Sequence, residues 1–262
     1  MGLFVWEDTP RKVFLWDVPY SKVFVWDTKV RPTWPAENYL CFTAEQASST
    51  VKLTKTWSPT AVTLETSTDW NTWTTYTIWD TITLANIGDK VYWRNTSATP
   101  TWFSTSSSDY YKFNITWLVW ASGDINFLLC KNSTDTLVWS YCYYRLFRQA
   151  SYLTTPPSLP ATTITAHCYR AMFVSCTRLV WIPSLPATTL PDGCYYQMFG
   201  SSSKIKLSAT QTWDYQTAYR IPTTWTWSVG TDSIYLMFSS TGGTVTNAVT
   251  INTTYYTSNT VV

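Results

Sequence analysis

Glycine and charge are both scarce in this sequence. Its 262 residues include 8 glycines, where average usage of about 7% would give roughly 18. Charged residues make up 13% of the chain, and the net charge is +2. So small a positive charge provides no basic stripe that could release counterions from a nucleic-acid backbone. We therefore expect no nucleic-acid partner.

Motifs for catalysis, metal binding and membrane insertion are also missing. No apolar run approaches the roughly 20 residues of a membrane span, so we expect no membrane insertion. The sequence has no phosphate-binding, nucleophile-elbow or metal-ligand spacing. Its aspartates lie beside turn residues, where Asp bonds to its own backbone, and no pattern brings two of them together. We therefore predict no enzyme, no cofactor and no metal site.

Histidine and cysteine are arranged for packing rather than for chemistry. The only histidine, His167, adjoins Cys168, but adjacent side chains of an extended segment point apart. The six cysteines contain no C-x-x-C pair, and Cys142, Cys168 and Cys194 are 26 residues apart. A repeated packing position explains that spacing, so we predict small, buried thiols.

Residues that favour strands are abundant. Aromatic residues make up 18% of the chain, and Val, Thr, Tyr and Trp suit a pleated, half-buried surface. Between residues 36 and 130, runs such as YLCFTA and TVKLTKTW alternate with turns at a spacing of about 8–12 residues. We predict a mainly β protein with an immunoglobulin-like β-sandwich at residues 36–130.

A second region repeats itself. SLPATTITAHCYRAMF begins at Ser158, and SLPATTLPDGCYYQMF begins 26 residues later at Ser184. Apolar residues at fixed offsets with a period of about 20–29 residues are typical of a leucine-rich repeat, in which each turn stacks on the next. We predict a short leucine-rich-repeat solenoid.

The repeated unit carries a family resemblance. SLPATT, then CYRAMF or CYYQMF, then VSCTRL resembles the BspA-like leucine-rich-repeat proteins of gut and oral bacteria and of their phages, over about residues 136–206. The resemblance implies that residues 131–207 are repeats of this kind. It also implies that Cys194, Met198 and Phe199 are interior positions.

The C-terminal region is predicted to cap the solenoid. A last turn otherwise exposes an apolar face and an unpaired edge. In residues 208–262, the run from Ile234 to Phe238 resembles Tyr195 to Phe199 in its aromatic, Met and Phe content, although the 26-residue spacing has stopped. We expect a degenerate closing repeat followed by short strands, with Phe238 and Ile251 buried.

A period of ten marks the start of the chain, in LFVWEDTPRK, VFLWDVPYSK and VFVWDTKVRP. Each copy has a strand-like run followed by a turn-forming acidic residue. Similar short repeats occur in N-terminal segments of phage structural proteins. That resemblance implies that residues 1–35 form a β-repeat segment that attaches to other virion proteins. The predicted attachment residues are Phe4, Phe14, Phe24, Asp17 and Asp27.

These observations predict a non-enzymatic structural or adhesion protein on a phage particle, as capsid decoration, tail or fibre. MGLFVWEDTPRK has acidic residues where a signal peptide has an apolar core, and assembly on a particle needs no such peptide. The sandwich and solenoid would face outward from the virion surface, as a homo-oligomer, and bind a host-surface glycan or protein. A bacterial cell-surface adhesin with the same repeats is the alternative.

Tyrosines of the repeat are the predicted binding residues. Tyr combines an apolar ring with a polar tip, which suits both glycans and protein partners. Because some of these tyrosines recur with the repeat, they are alternatively part of its framework. The predicted set is Tyr144, Tyr169, Tyr195 and Tyr196.

Tryptophan is abundant where glycine is expected. Trp26, Trp57, Trp70 and Trp79 lie in predicted turns, where glycine is favoured because it takes positive φ freely. We therefore hypothesise UGA recoding, in which UGA codons for glycine have been read as tryptophan. The alternative is an aromatic surface for sugar stacking. Trp73 and Trp93 lie in strand-like alternation, and we expect both to be core or half-buried residues.

Overall fold

The computed structural model describes residues 38–57, 62–221, 228–245 and 249–258. These residues are mainly β, with fourteen strands, a 3₁₀ turn at Ile125–Leu128 and no α-helix. None of their helical turns is long and apolar enough to cross a membrane. The predicted attachment segment, with Phe4, Phe14, Phe24, Asp17 and Asp27, lies outside the described residues, as does Trp26.

Two antiparallel sheets make up the first part of the described chain. One has the order β4-β3-β6-β1-β8 and the other the order β5-β2-β7. In the first, Phe42 pairs with Val91, and in the second, Val51 pairs with Ile115. The strands are β1 (Leu40–Ala44), β2 (Ser49–Lys55), β3 (Leu64–Ser67), β4 (Thr74–Thr75), β5 (Ile82–Leu84), β6 (Lys90–Asn95), β7 (Tyr111–Thr116) and β8 (Val119–Ser122).

The two sheets share one apolar core. In β7, alternate residues are buried because successive side chains of a strand point to opposite faces. The ring of Phe113 in β7 lies 4.9 Å from that of Phe42 in β1 and 5.2 Å from that of Trp93 in β6. Trp93 is fully buried and Trp73 is half-buried, so the sequence prediction for these two is confirmed.

Four turn segments follow, at residues 141–150, 167–176, 193–202 and 232–241. In each, every fourth residue has left-handed φ, as at Tyr141 (62°), Arg145 (56°) and Gln149 (64°). Between these positions the N–H of one residue donates to the carbonyl three residues earlier, as from Tyr144 to Tyr141 at 2.9 Å. Each segment is therefore a run of β-turns.

Hydrogen bonds join each turn segment to the next. The N–H of Tyr143 donates to the Cys168 carbonyl (2.8 Å), and that of Tyr169 donates to the Cys194 carbonyl (3.0 Å). Alternate residues donate to the next segment while those between them donate within their own segment, so backbone donors are satisfied in both directions. The fourth segment accepts in the same way, since the N–H of Tyr195 donates to the Ser233 carbonyl (2.8 Å).

Stacked side chains fill the interior of these segments. Phenylalanine rings stack with centroids 5.3–5.5 Å apart, beginning on β7. Cys142, Cys168, Cys176 and Cys194 lie in these segments, and all six cysteines of the chain are buried and reduced, as predicted. Burial raises the pKa of the Cys142, Cys168 and Cys194 thiols. Cys194, Met198 and Phe199 are buried, as the family resemblance implied. The phenylalanine column consists of Phe113, Phe147, Phe173, Phe199 and Phe238.

The chain ends in further short strands around the fourth segment. A four-stranded sheet has the order β11-β14-β10-β13, and β9 pairs with β12 in parallel. Phe238 is fully buried, as predicted, but Ile251 is only half-buried, so that part of the prediction was wrong. The strands are β9 (Thr189–Leu190), β10 (Lys206–Ser208), β11 (Thr217–Arg220), β12 (Ser228–Val229), β13 (Gly242–Gly243) and β14 (Thr254–Thr257).

Three of the suspect tryptophans have left-handed backbone. The φ values of Trp57, Trp70 and Trp79 are 53°, 56° and 83°, and all three side chains are exposed, that of Trp57 at 87%. Trp117, at 60°, is a fourth case. Unlike the left-handed residues of the turn segments, these four do not recur in register. A bulky residue at such φ is a genuine outlier, so their backbone favours glycine.

Replacing Trp57, Trp70 and Trp79 together by glycine is expected to raise the free energy of unfolding. Each change removes a left-handed penalty of about 1–2 kcal/mol, less roughly 0.5–1 kcal/mol for the extra freedom of unfolded glycine. Urea unfolding should therefore give a more stable variant. In the matched control Trp93→Gly, loss of a core ring should lower stability by about 3 kcal/mol or more. A destabilised triple variant would contradict the recoding hypothesis.

Mass spectrometry tests the same hypothesis on native material. Trypsin releases residues 56–90 as one peptide, which contains Trp57, Trp70, Trp73 and Trp79. We expect glycine at the three left-handed positions and tryptophan at Trp73. A peptide with tryptophan at all four positions would end the hypothesis.

Candidate binding surface

Two of the predicted binding tyrosines lie in the interior. Tyr169 and Tyr195 are each about 1% exposed. The ring of Tyr169 stacks between those of Tyr143 (5.8 Å) and Tyr195 (5.9 Å), one from each neighbouring segment. Burial raises the pKa of both hydroxyls well above the usual value. These two rings cannot reach a ligand, so the prediction is corrected at Tyr169 and Tyr195, which are framework residues.

The other two predicted tyrosines lie on the outer edge of the segments. Tyr144 is only 4% exposed, because the rings of Tyr110 (5.3 Å) and Tyr141 (5.5 Å) and the guanidinium of Arg145 (4.7 Å) cover it. Tyr196 is half-buried and keeps part of its ring in solvent. Of the four predicted residues, Tyr196 is therefore the one that can contact a partner directly.

The register of the turn segments brings further residues to this edge. Tyr144, Arg170, Tyr196 and Tyr235 occupy the same position in the four successive segments, since each follows a left-handed residue by three. Tyr110 precedes β7 and extends the row at its other end. We call this set the tyrosine–arginine stripe, and it comprises Tyr110, Tyr144, Arg145, Arg170, Tyr196 and Tyr235.

The second, third and fourth segments hold the most accessible part of the stripe. The Arg170 guanidinium lies over the Tyr196 ring, 4.1 Å from its centroid. The ring of Tyr235 lies 5.4 Å from that of Tyr196, tilted by 40°, and Tyr235 is 52% exposed. A cation and two partly exposed rings therefore adjoin one another.

The positive charge of this surface lies on the first two turn segments. Residues 141–150 contain Arg145 and Arg148, and residues 167–176 contain Arg170, while neither range contains Asp or Glu. The third segment has no charged side chain, and the fourth contains Asp232. In β7, burial and the nearby Arg148 lower the pKa of Lys112, whose Nζ donates to Gln149 (3.2 Å). The Nε of Arg145 is buried and has no hydrogen-bond partner among the described residues. Over the four segments, an anion would therefore meet three arginines and one acidic residue, Asp232.

His167 and Cys168 do not form a catalytic pair. The His167 ring lies 4.7 Å from that of Tyr141 and is half-buried, whereas Cys168 is fully buried in the interior column. Burial lowers the pKa of His167 and raises that of Cys168. Gly193 occupies the equivalent position in the next segment, where a Cβ would lie 2.4 Å from His167 Nδ1. The two side chains therefore serve packing on opposite sides of the segment.

An open cleft of about 250 Å³ lies near the 3₁₀ turn. Asp124 and Asp135 are among the residues that line it. The Asp124 carboxylate accepts hydrogen bonds from Ser133 Oγ and from the Asn126 N–H at 2.8 Å, and burial raises its pKa. These hydrogen bonds stabilise the 3₁₀ turn. Within the described residues, no group of three or more His, Cys, Asp or Glu side chains could hold a metal ion.

Sequence reasoning missed Arg170 and Tyr235. Alignment at the 26-residue period would have placed Arg170 beside Tyr144 and Tyr196. Tyr235 was out of reach of that signal, because residues 203–231 lengthen the step to the fourth segment.

The chain matches no known family model, and no curated protein or solved structure is significantly similar to it.

Proposed function

We propose that the chain is a non-enzymatic adhesion protein displayed on a phage particle. The observation that carries this proposal is the stack of turn segments, which holds an accessible row of tyrosine and arginine outside a column of apolar rings. Buried thiols and stacked phenylalanines make the interior a framework. A rigid framework with recognition residues on its surface is suited to binding.

The architecture that we propose has four parts, of which residues 1–35 are the attachment segment. Residues 36–130 form a β-sandwich, supported by the contact between Phe42 and Phe113 across the two sheets. Residues 131–207 form a short BspA-like solenoid, supported by the 26-residue step of the hydrogen-bond ladder. Residues 208–262 cap it, supported by the stacking of Phe238 on Phe199.

Neighbouring elements contact both ends of the proposed solenoid. At one end the N–H of Phe113 in β7 donates to the carbonyl of Leu146 in the first turn segment (2.8 Å). At the other, the ring of Tyr219 in β11 lies 6.5 Å from that of Phe238, edge-on. Unpaired edges invite chain-to-chain association, so the pairing with β7 protects the first end from it.

On the particle, residues 1–35 would bind other virion proteins. The remainder of the chain would face outward toward a host-surface glycan or protein, and the protein would be a homo-oligomer there. The ten-residue repeat of the attachment segment supports this orientation. The second candidate is a bacterial cell-surface adhesin, which the resemblance of the repeats to bacterial surface proteins favours equally. Both candidates use the same stripe.

Purified particles test where the protein is displayed. We expect mass spectrometry of density-gradient-purified virions from the encoding phage to detect the chain in constant ratio to the major capsid protein. Fractions of uninfected host cells serve as the control. Absence from virions would refute the proposal, and recovery from the surface of uninfected cells would favour the bacterial adhesin.

A further inference from the structure

We propose that the tyrosine–arginine stripe binds a linear anionic polysaccharide, lying along the direction in which the turn segments stack. The inference rests on the proposed adhesion function and names its ligand class. It differs from the sequence prediction in the residues that it uses. Arg170, Tyr196 and Tyr235 make the direct contacts. Tyr144, at the same position in the first segment, is covered and makes none.

The rings provide the neutral part of recognition. Tyr196 and Tyr235 are both partly exposed, and their ring centroids lie 5.4 Å apart. A tyrosine ring is an apolar surface with a hydroxyl at its tip, so it can pack against the C–H face of a sugar while it bonds to a sugar hydroxyl. Two such rings in consecutive segments match consecutive sugar units.

The arginines provide the charged part. The ring of Tyr196 holds the Arg170 guanidinium in place at 4.1 Å, and Arg170 forms no ion pair within the described residues. A planar guanidinium binds carboxylate or sulfate through two parallel hydrogen bonds. Because the ring already orients this fork, less conformational freedom is lost on binding.

The regular ladder favours a chain ligand over an isolated sugar. The phenylalanine column sets a constant spacing of 5.3–5.5 Å between segments. Stripe residues from successive segments therefore repeat at nearly equal intervals. A polysaccharide repeats its rings and charges in the same manner, so that weak contacts at each unit add along one molecule.

The exposed tryptophans do not form a comparable binding surface. Trp57, Trp70 and Trp79 have left-handed φ in separate turns, and they do not form a row with arginine. Trp213 is 84% exposed and lies outside the turn segments. These residues are therefore useful as controls for nonspecific aromatic adhesion.

Titration calorimetry on the full chain tests the proposal with polygalacturonate and chondroitin sulfate as carboxylate and sulfate probes and dextran as a neutral probe. We expect binding of at least one anionic probe, weakened by added salt, and no binding of dextran. Arg170→Gln should weaken that binding by about tenfold or more, since a charge-assisted bond contributes at least that factor. Tyr235→Ala should weaken it severalfold, and Arg170→Lys should retain part of it.

Two matched variants serve as controls. Arg178→Gln removes an exposed arginine that also lies over a tyrosine ring, that of Tyr152, at 5.7 Å. Trp213→Ala removes an exposed ring elsewhere. Both should bind like the parent protein, and all variants should melt near its temperature because the changed residues lie on the surface.

Several results would overturn the inference. The first is that neither anionic probe binds, and the second is that dextran binds as tightly as the anionic probes. The third is that Arg178→Gln weakens binding as much as Arg170→Gln does. The proposed function fails separately, through absence of the chain from virions. A chain present in virions that ignores both anionic probes would refute this inference alone.

Discussion

Replacing Phe173 by alanine should lower the free energy of unfolding by about 3–5 kcal/mol, a typical cost for deleting a buried aromatic ring. Phe173 is fully buried at the centre of the phenylalanine column. Its ring lies 5.3 Å from Phe147 and 5.5 Å from Phe199, nearly parallel to both. Both of its faces are therefore covered by neighbours that cannot collapse into the cavity without breaking the hydrogen-bond ladder.

Urea unfolding and thermal melts measure this effect. At about 2–4 °C per kcal/mol for a chain of this size, the melting temperature should fall by roughly 6–20 °C. Phe173→Leu, which retains much of the volume, should cost less, and Thr177→Ala at an exposed position should cost little. A Phe173→Ala protein as stable as Thr177→Ala would show that the column does not hold the segments together.

Truncation after Lys206 should make the protein poorly soluble and lower its melting temperature further than any single substitution. The fourth turn segment supplies the carbonyls that accept from the third, as from Tyr195 to Ser233 and from Phe199 to Met237. Phe238 covers one face of Phe199. Removing these groups leaves an unpaired backbone edge and exposes Leu185, Met198 and Phe199, a combination that promotes association.

A chain that ends at Val245 is the control, because it keeps the fourth segment and loses β14. We expect this control to elute like the parent chain in size-exclusion chromatography and to melt between the parent and the shorter chain. If the chain that ends at Lys206 is monomeric and melts at the parent temperature, the C-terminal region is not a cap.

These two experiments also bear on binding. The phenylalanine column spaces the segments, and the segments in turn place Arg170, Tyr196 and Tyr235 side by side. Phe173→Ala should therefore weaken polysaccharide binding, even though Phe173 is buried and cannot contact the polysaccharide. Deleting the fourth segment removes Tyr235 itself.

Local sequence patterns predicted a substantial part of the fold. The resemblance of the repeated unit to the BspA-like repeats implied that Cys194, Met198 and Phe199 are interior, and a residue that recurs at the same offset in a stack has the same environment in each layer. Turn chemistry identified Trp57 as a position that favours glycine, since left-handed backbone is a local property that glycine adopts freely and bulky residues adopt at a cost. Strand alternation likewise identified Trp93 as a core residue.

What the sequence alone determined is thus the mainly β class, the repeat, the buried thiols and the turn positions of Trp57, Trp70 and Trp79, all of which depend on short-range geometry. Only the tertiary structure decided which tyrosines face outward. Tyr144 is covered by Tyr110 from a distant part of the chain, and Tyr235 joins the stripe only because the fourth segment accepts hydrogen bonds from the third in register. Exposure depends on what packs over a side chain, and those neighbours are far away in sequence.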